Sequence, residues 1–199
     1  MRIPRFLAGL SILLVLTACA PTSFDDASPE EVARAAYVSG DPPSLTLFTM
    51  VNNSTGAGGH SSLMVSGSQR VIFDPAGSFR HPDGVERGDV LYGMSPAWVA
   101  GYKSAHARST YRVVSQTVQL TEAQAETALR LVQSNGPVAS AFCANAVSSI
   151  LRQVPGFEAT QVTFYPVKLM DQFDQRPDVQ RDVYYENDEG DVRDGLADL

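Results

Sequence analysis

Few cysteines and few basic residues are the first features of this sequence, and each excludes a class of protein. Two cysteines among 199 residues exclude a disulfide-rich scaffold. Fifteen Lys and Arg against 22 Asp and Glu give a formal net charge of −7, without any run of basic residues. This balance argues against nucleic-acid binding and against electrostatic docking on anionic lipid. With 44% apolar residues, the chain can still bury the core of one domain.

An apolar run near the N-terminus, over 6–16, is the one segment that points to a membrane. Arg2 and Arg5 precede it, and small residues follow it. The run is too short to span a bilayer, so this arrangement indicates a secretory signal and not a transmembrane helix.

The end of this signal, Leu16-Thr17-Ala18-Cys19, resembles the bacterial lipobox. The resemblance implies that Cys19 is acylated, becomes the first residue of the mature protein and ties it to a membrane. An Asp after the cysteine would imply retention at the inner membrane, and Ala20 stands there instead. We therefore expect a periplasm-facing anchor in the outer membrane of a Gram-negative bacterium. The alternative is an ordinary signal peptide in which the cysteine falls here by chance.

One α+β domain is expected over 28–170, after a signal over 1–18 and a tether over 19–27. Short β-branched or aromatic segments bounded by turn residues predict a small, mostly antiparallel sheet. Its strands are expected at 45–51, 62–66, 70–74, 89–92 and 111–120. Capping patterns and apolar spacing predict helices at 28–37, at 95–107, at 121–135 and between Ser140 and Pro155.

The C-terminal part of the chain gives weaker signals. A last strand is expected over 162–169. Residues 171–199 hold ten acidic and three basic residues and few core formers, so we expect an acidic tail that is partly disordered or draped over the surface. Such a tail could bind cations or a basic partner.

Cys143 is the residue with the strongest case for chemistry. If Ser140 caps the helix, the thiol lies in its first turn, where the helix dipole and free backbone N–H groups favour a thiolate. The same N–H groups could receive the oxyanion of a tetrahedral intermediate. With Cys19 acylated, Cys143 would be the one free thiol in an oxidising compartment. The alternative is a cysteine that acts as a small buried hydrophobic residue.

A thiolate enzyme also needs a base, and His60 is the best placed of the three histidines. It follows Gly56-Ala57-Gly58-Gly59 and opens a predicted strand, so the sheet would hold its backbone. If 62–66 and 70–74 pair as a hairpin, Asp74 becomes a neighbour that could orient the imidazole. The alternative is that His60 and Asp74 are only turn residues.

The other candidate groups rank lower. His81 lies in a turn-like segment and His106 in a polar one, although either could orient His60 if Asp74 points away. The glycine run lacks the Lys-Ser or Lys-Thr pair of a phosphate loop, and one thiol with three scattered histidines offers no metal-ligand spacing. We therefore expect no cofactor and no metal.

The order of these residues resembles the circularly permuted branch of the NlpC-type, papain-like cysteine hydrolases, which includes relatives of lecithin:retinol acyltransferase. The matching positions are Gly59-His60, Asp74, Gly88-Asp89-Val90-Leu91-Tyr92 and Phe142-Cys143. The match covers about 45–155. Many relatives have His where Asp74 stands and an aromatic residue where Ser61 stands, so the departures concern the catalytic geometry more than the fold.

The resemblance implies a papain-like core and thiol attack on a carbonyl, with an acyl-enzyme whose acyl group passes to water or another acceptor. By position, Cys143 would be the nucleophile, His60 the general base and acid, and Asp74 the orienting residue. The expected function is a lipid-anchored thiol hydrolase or acyltransferase acting on a peptidoglycan peptide or on a lipid ester, with a lean towards the amide. The alternative is a non-catalytic envelope lipoprotein that uses the fold for binding or assembly.

Overall fold

A computed structural model describes residues 26–196 of the chain. The expected signal, the lipobox with Cys19 and most of the tether therefore lie outside the described residues. Within 26–196, no helix is long and apolar enough to cross a bilayer.

Seven antiparallel strands form one sheet in the order β4-β5-β3-β2-β1-β6-β7. The strands are β1 (Ser44–Asn52), β2 (Gly58–Ser66), β3 (Arg70–Phe73), β4 (Val85–Arg87), β5 (Val90–Tyr92), β6 (Tyr111–Gln119) and β7 (Gln180–Tyr185). The described part of the chain is therefore α+β, with an antiparallel sheet as predicted. The short strand β4 was not predicted, because three half-exposed or exposed residues carry no apolar alternation.

Helices cover both faces of this sheet. They are α1 (Pro29–Ala35), α2 (Pro96–His106), α3 (Glu122–Asn135), α4 (Cys143–Leu151), α5 (Pro166–Asp174) and α6 (Val192–Leu196). Both predicted capping boxes form, at Ser28 and Thr121. Ser95 caps α2 through its side chain, and proline takes an early position in that helix, where its missing N–H costs nothing.

The central strand β1 is buried along almost its whole length because side chains alternate between two apolar layers. Leu45 and Leu47 pack with residues of α3, α4 and α5 on one face. Phe48 and Met50 pack with residues of α2 and α6 on the other. The first layer positions the start of α4, and the second positions Tyr102 and His106.

The strand expected over 162–169 does not form. Pro166 instead begins α5, where proline suits the first helical turn, and Leu169, Met170 and Phe173 are buried along one helical face. The apolar residues of this segment therefore follow a helical period and not the period of two that a strand requires.

The acidic segment is better ordered than expected over its described part. Gln180–Tyr185 pairs with β6 from Thr117 to Arg112 and forms the edge of the sheet. Lys103 on α2 forms an ion pair of 2.7 Å with Asp182 of this strand. Further along, Val192 and Leu196 pack against the apolar layer under α2. Residues 180–196 are therefore part of the fold.

Candidate active site

Cys143 is the first residue of α4, because the helix begins two residues later than capping by Ser140 would place its start. Phe142 takes the N-cap position without a side-chain cap, and Ala141 has a left-handed φ of 69° that turns the chain into the helix. The thiol nevertheless lies where the backbone N–H groups of a helix have no internal partners. Cys143 is buried, with 7% of its surface exposed.

The β2–β3 hairpin brings His60 and Asp74 together. Leu63 pairs with Phe73, and continuing this register places Asp74 opposite Ser62. His60 lies two residues before Ser62 and so shares its face of the sheet. The His60 Nε2 atom lies 2.7 Å from Asp74 Oδ1, which is the hydrogen bond that the hairpin predicted.

The groups that act on the thiol of Cys143 are the imidazole of His60 and the backbone N–H groups of Ser61 and Ala144, each of which lowers the pKa of the thiol by hydrogen bonding. Since Nε2 of His60 is bound to Asp74, the nitrogen available to the thiol is Nδ1. The imidazole therefore interacts with both the thiol and the carboxylate, and the three residues singled out from the sequence lie in one site.

Interactions within this site shift the pKa values of His60 and Cys143. Burial opposes the charge on all three groups, but the Asp74 carboxylate and the hydrogen bonds to Asp74 and Cys143 raise the pKa of His60 to about 10. Burial also raises the pKa of Cys143, yet the hydrogen bond and charge of His60 and the two N–H donors outweigh it and lower that pKa below its usual value. Both shifts act in the direction of a thiolate–imidazolium pair.

Tyr102 of α2 is a further member of the site that the sequence did not predict. Its hydroxyl lies 2.6 Å from Asp74 Oδ1 and 2.7 Å from Ser62 Oγ. An ionised carboxylate only accepts, so Tyr102 donates to Asp74 and accepts from Ser62. The carboxylate consequently has two donors, and the positive charge and hydrogen bond of His60, with smaller effects from His106 and Tyr102, lower its pKa to about 2 despite burial.

Asp89 connects the turn after Asp74 with the loop before Cys143. Its Oδ2 accepts hydrogen bonds from the backbone N–H of Ala76, at 2.9 Å, and of Val138, at 2.8 Å. Its own carbonyl accepts from the N–H of Asp74 at 2.8 Å. This residue follows Gly88 at the turn into β5, and it holds two separate parts of the site in position.

The remaining histidines have different environments. His106 is buried, and its Nδ1 donates to the carbonyl of Tyr102 at 2.8 Å. Burial, with repulsion from His60, lowers its pKa to about 4, so this imidazole is neutral at pH 7. His81 accepts from the N–H of Asp83 in its turn, and its ring packs edge-on against Trp98. Asp74 points towards His60, so neither is needed as the orienting residue.

Two of the cavities differ in whether residues of the site line them. One of about 270 Å³ lies beside His60 and His106. A larger one, of about 930 Å³, lies between the 156–163 segment and α5, and none of the three candidate catalytic residues lines it. Among residues 26–196, no cluster of three or more His, Cys, Asp or Glu could hold a metal ion.

These arrangements allow nucleophilic attack by a thiolate, proton transfer through an imidazole and stabilisation of an oxyanion by backbone N–H groups. A scan against protein-family models gives no match to the chain, and searches of curated proteins and of solved structures give none either.

Proposed function

We propose that this protein is a thiol hydrolase or acyltransferase that forms an acyl-enzyme on Cys143. The observation that carries the proposal is the 2.7 Å hydrogen bond between the buried Asp74 and His60, whose imidazole in turn lowers the pKa of the Cys143 thiol at the start of α4. A cysteine that served only as packing would need neither a charged partner nor a carboxylate behind that partner.

The reaction begins with attack of the Cys143 sulfur on the carbonyl carbon of an amide or ester. The carbonyl electron pair moves to oxygen, and N–H groups at the start of α4 stabilise this oxyanion. His60 gives its proton to the leaving nitrogen or oxygen, the bond to the leaving group breaks, and a thioester remains. His60 then takes a proton from water or another acceptor, whose oxygen or nitrogen attacks the thioester and releases Cys143.

Asp74 and Tyr102 act on His60 and not on the substrate. The carboxylate fixes the ring so that Nδ1 faces the thiol, and it stabilises the imidazolium. Tyr102 fixes the carboxylate in turn. These roles are the ones expected in a permuted papain-like site, and we propose that the core has a papain-like fold.

The setting of the reaction is proposed from the sequence. Acylation at Cys19 would hold the domain at the periplasmic side of the outer membrane, where peptidoglycan peptides and membrane lipid esters are within reach. Of these we favour an amide of a peptidoglycan peptide.

The test is the rate of alkylation of Cys143 by iodoacetamide against pH, read by mass spectrometry on the peptide that contains Cys143, so that Cys19 does not contribute. The full chain is compared with its His60→Ala variant. We expect the wild-type thiol to titrate well below the ordinary value of about 8.5, and the variant to titrate closer to it. If Cys143 titrates at the ordinary value and its titration does not change in the His60→Ala variant, the proposal is contradicted and the non-catalytic alternative is favoured.

A second variant separates catalysis from packing. Cys143→Ser should abolish turnover and leave the thermal unfolding temperature nearly unchanged, because serine keeps the size of the side chain. A large loss of stability with unaltered activity on an activated ester would instead assign Cys143 a packing role.

A further inference from the structure

Three aromatic side chains close to the thiol are exposed to solvent. Phe142 immediately precedes Cys143, and 45% of its surface is exposed. Phe164 and Tyr165, which lie just before α5, are 52% and 63% exposed. These three residues, Phe142, Phe164 and Tyr165, form the aromatic patch. A cluster of exposed rings, unlike a single one, is typical of an interaction surface.

Contacts within the protein hold the members of the patch together. The rings of Phe142 and Phe164 meet edge to face, with their centroids 5.2 Å apart. The segment that carries Phe164 is fixed to α4, because the backbone N–H of Thr163 donates to Ser148 Oγ at 3.2 Å. The patch is therefore one surface between the start of α4 and the start of α5.

This surface adjoins the proposed active site. Cys143 follows Phe142 directly, on one side of the patch. On the other side, Pro166 follows Tyr165 and lies against the strand that carries His60. A Cβ added at Gly58, two residues before His60, would come within 2.6 Å of the Pro166 Cβ. Whatever covers the patch is therefore close to the thiol.

The chemistry of the patch is that of a membrane interface. Lys168 places its Nζ 4.8 Å from the centroid of the Tyr165 ring. Aromatic rings and long basic side chains are favoured at the headgroup level of a bilayer, where the ring is half in lipid and the ammonium reaches the phosphates. The net charge of −7 gives little attraction to anionic lipid, so apolar contact has to supply the binding.

The N-terminal chain reaches the same side of the domain. Six residues separate Cys19 from Asp26, so the two lie at most about 25 Å apart. Asp26 Oδ1 accepts from the N–H of Gly88 at 2.9 Å, and the next residue, Asp89, accepts from the N–H of Val138 at 2.8 Å. Four residues lead from Val138 to Phe142, a span of at most about 14 Å. A bilayer that holds Cys19 can therefore also touch the patch.

We infer that the aromatic patch docks on a bilayer of zwitterionic phospholipid, with its rings at the level of the headgroups. The inference rests on the membrane setting proposed above for Cys19, and it does not require catalysis by Cys143. Docking in this orientation places the thiol at the membrane surface. The far end of the β2–β3 hairpin, where the N–H of Arg70 donates to the carbonyl of Tyr37 at 2.7 Å, then faces away from the lipid.

The test places a single tryptophan in the patch. Trp98, the one tryptophan of the chain, is removed by Trp98→Phe in every variant, and Phe164→Trp or Tyr165→Trp adds the probe. Val38→Trp is the matched control, since Val38 is 66% exposed and follows Tyr37 at the far end of the hairpin. The full chain is produced in a Gram-negative host, so that Cys19 meets the acylating enzymes, and is reconstituted in phosphatidylcholine vesicles.

Phosphatidylcholine brominated along its acyl chains quenches a tryptophan that enters the bilayer. Interfacial rings sit about 5–10 Å deep, so brominated lipid should lower the emission of both patch probes by about half and that of Val38→Trp by less than about a tenth. Equal quenching at all three positions, or no quenching in the patch, would overturn the inference. A blue shift that grows with the amount of protein per vesicle, without quenching, would assign the patch to a second copy of the chain and overturn it as well.

Mass spectrometry of the same preparation separates this inference from the proposed function. A Cys19 without an acyl group would overturn the proposed membrane setting and the inference with it. An acylated Cys19 without quenching in the patch would overturn the inference alone. The catalytic proposal is judged separately, by the titration of Cys143. If Phe164→Trp fails to fold, Tyr165→Trp decides, because it is the more exposed position.

Discussion

The rings of His60 and His106 lie within 11° of parallel, with centroids 6.1 Å apart, yet their pKa values are shifted in opposite directions. Both are desolvated, and both lie near Asp74. The difference is that His60 hydrogen-bonds the carboxylate directly, whereas Nδ1 of His106 is bound to a backbone carbonyl. One proton is therefore held on His60, and repulsion between the rings keeps a second one off His106.

This division predicts two opposite effects of pH on stability. His60 has a folded pKa of about 10, above its usual 6.5, so its contribution to the free energy of unfolding is complete below pH 6.5 and is lost as the pH rises through 10. His106 has a folded pKa of about 4, so its contribution is complete above pH 6.5 and is lost as the pH falls through 4. Thermal unfolding measured from pH 4 to pH 10 checks both limbs.

Each histidine serves as the control for the other. His60→Gln should flatten the alkaline limb and also weaken the acid limb, because it removes the repulsion that helps to lower the pKa of His106. His106→Gln should remove the acid limb and leave the alkaline limb as in wild type, because the pKa of His60 is set by Asp74 and Cys143. If His106→Gln flattens the alkaline limb as much as His60→Gln does, the assignment of one proton to His60 is wrong.

Tyr102→Phe tests the donor behind Asp74. The change removes one hydrogen bond to a buried carboxylate and leaves Ser62 without its partner, so we expect a loss of about 2 kcal/mol in the free energy of unfolding. Because Asp74 is held less firmly, alkylation of Cys143 at pH 7 should slow by about tenfold at most. Urea unfolding and the alkylation rate measure the two effects. Tyr185→Phe, at an exposed ring, should change neither.

Gly77→Ala tests the packing around the same carboxylate. A Cβ at Gly77 would overlap the carboxyl group of Asp74, which must then leave its position beside His60. We expect a large drop in turnover of an activated ester, and a Cys143 titration, measured by alkylation, that is shifted towards that of a free thiol. Gly84→Ala is the matched control, since its Cβ would come no closer than 3.2 Å to the carbonyl of His81 in an exposed turn. Equal effects of the two changes would argue against a special constraint at Gly77.

The local sequence pattern was enough to predict those parts of the site that are formed by segments close together in the sequence. The hairpin placed His60 beside Asp74 because its register follows from a short turn between two apolar strands. The helix that carries Cys143 followed from the apolar spacing of its residues, but its start, expected at a Ser140 cap, lies two residues later. The catalytic roles of these residues stay a prediction.

Contacts between distant segments could not be predicted in this way. Tyr102 reaches Asp74 from a helix 28 residues further along, and no local pattern links the two. The strand β7 is mostly exposed and polar, because an edge strand has one neighbour and needs few apolar residues, so its composition resembles that of a loop. At 162–169 the β-branched and aromatic residues suggested a strand, and burial of Leu169 against the sheet favoured a helix instead.

Asp89 offers the sharpest test of how the site is assembled, because one carboxylate oxygen holds the N–H groups of both Ala76 and Val138. Asp89→Ala leaves both donors without an acceptor and puts alanine at a φ of 61°, so we expect a loss of about 2–4 kcal/mol in the free energy of unfolding. The pH at which Cys143 becomes reactive in alkylation should rise towards that of a free thiol. The reason is that the turn after Asp74 and the loop before Cys143 are no longer joined.

Asp89→Asn separates the hydrogen bonds from the charge. Asparagine tolerates a left-handed φ and keeps a carbonyl oxygen that can accept from both N–H groups, so stability should fall by about 1 kcal/mol and the Cys143 titration should stay close to wild type. If the asparagine variant instead loses the depressed titration as fully as the alanine variant, the negative charge of Asp89, and not its position between two backbone segments, sets the chemistry of the thiol.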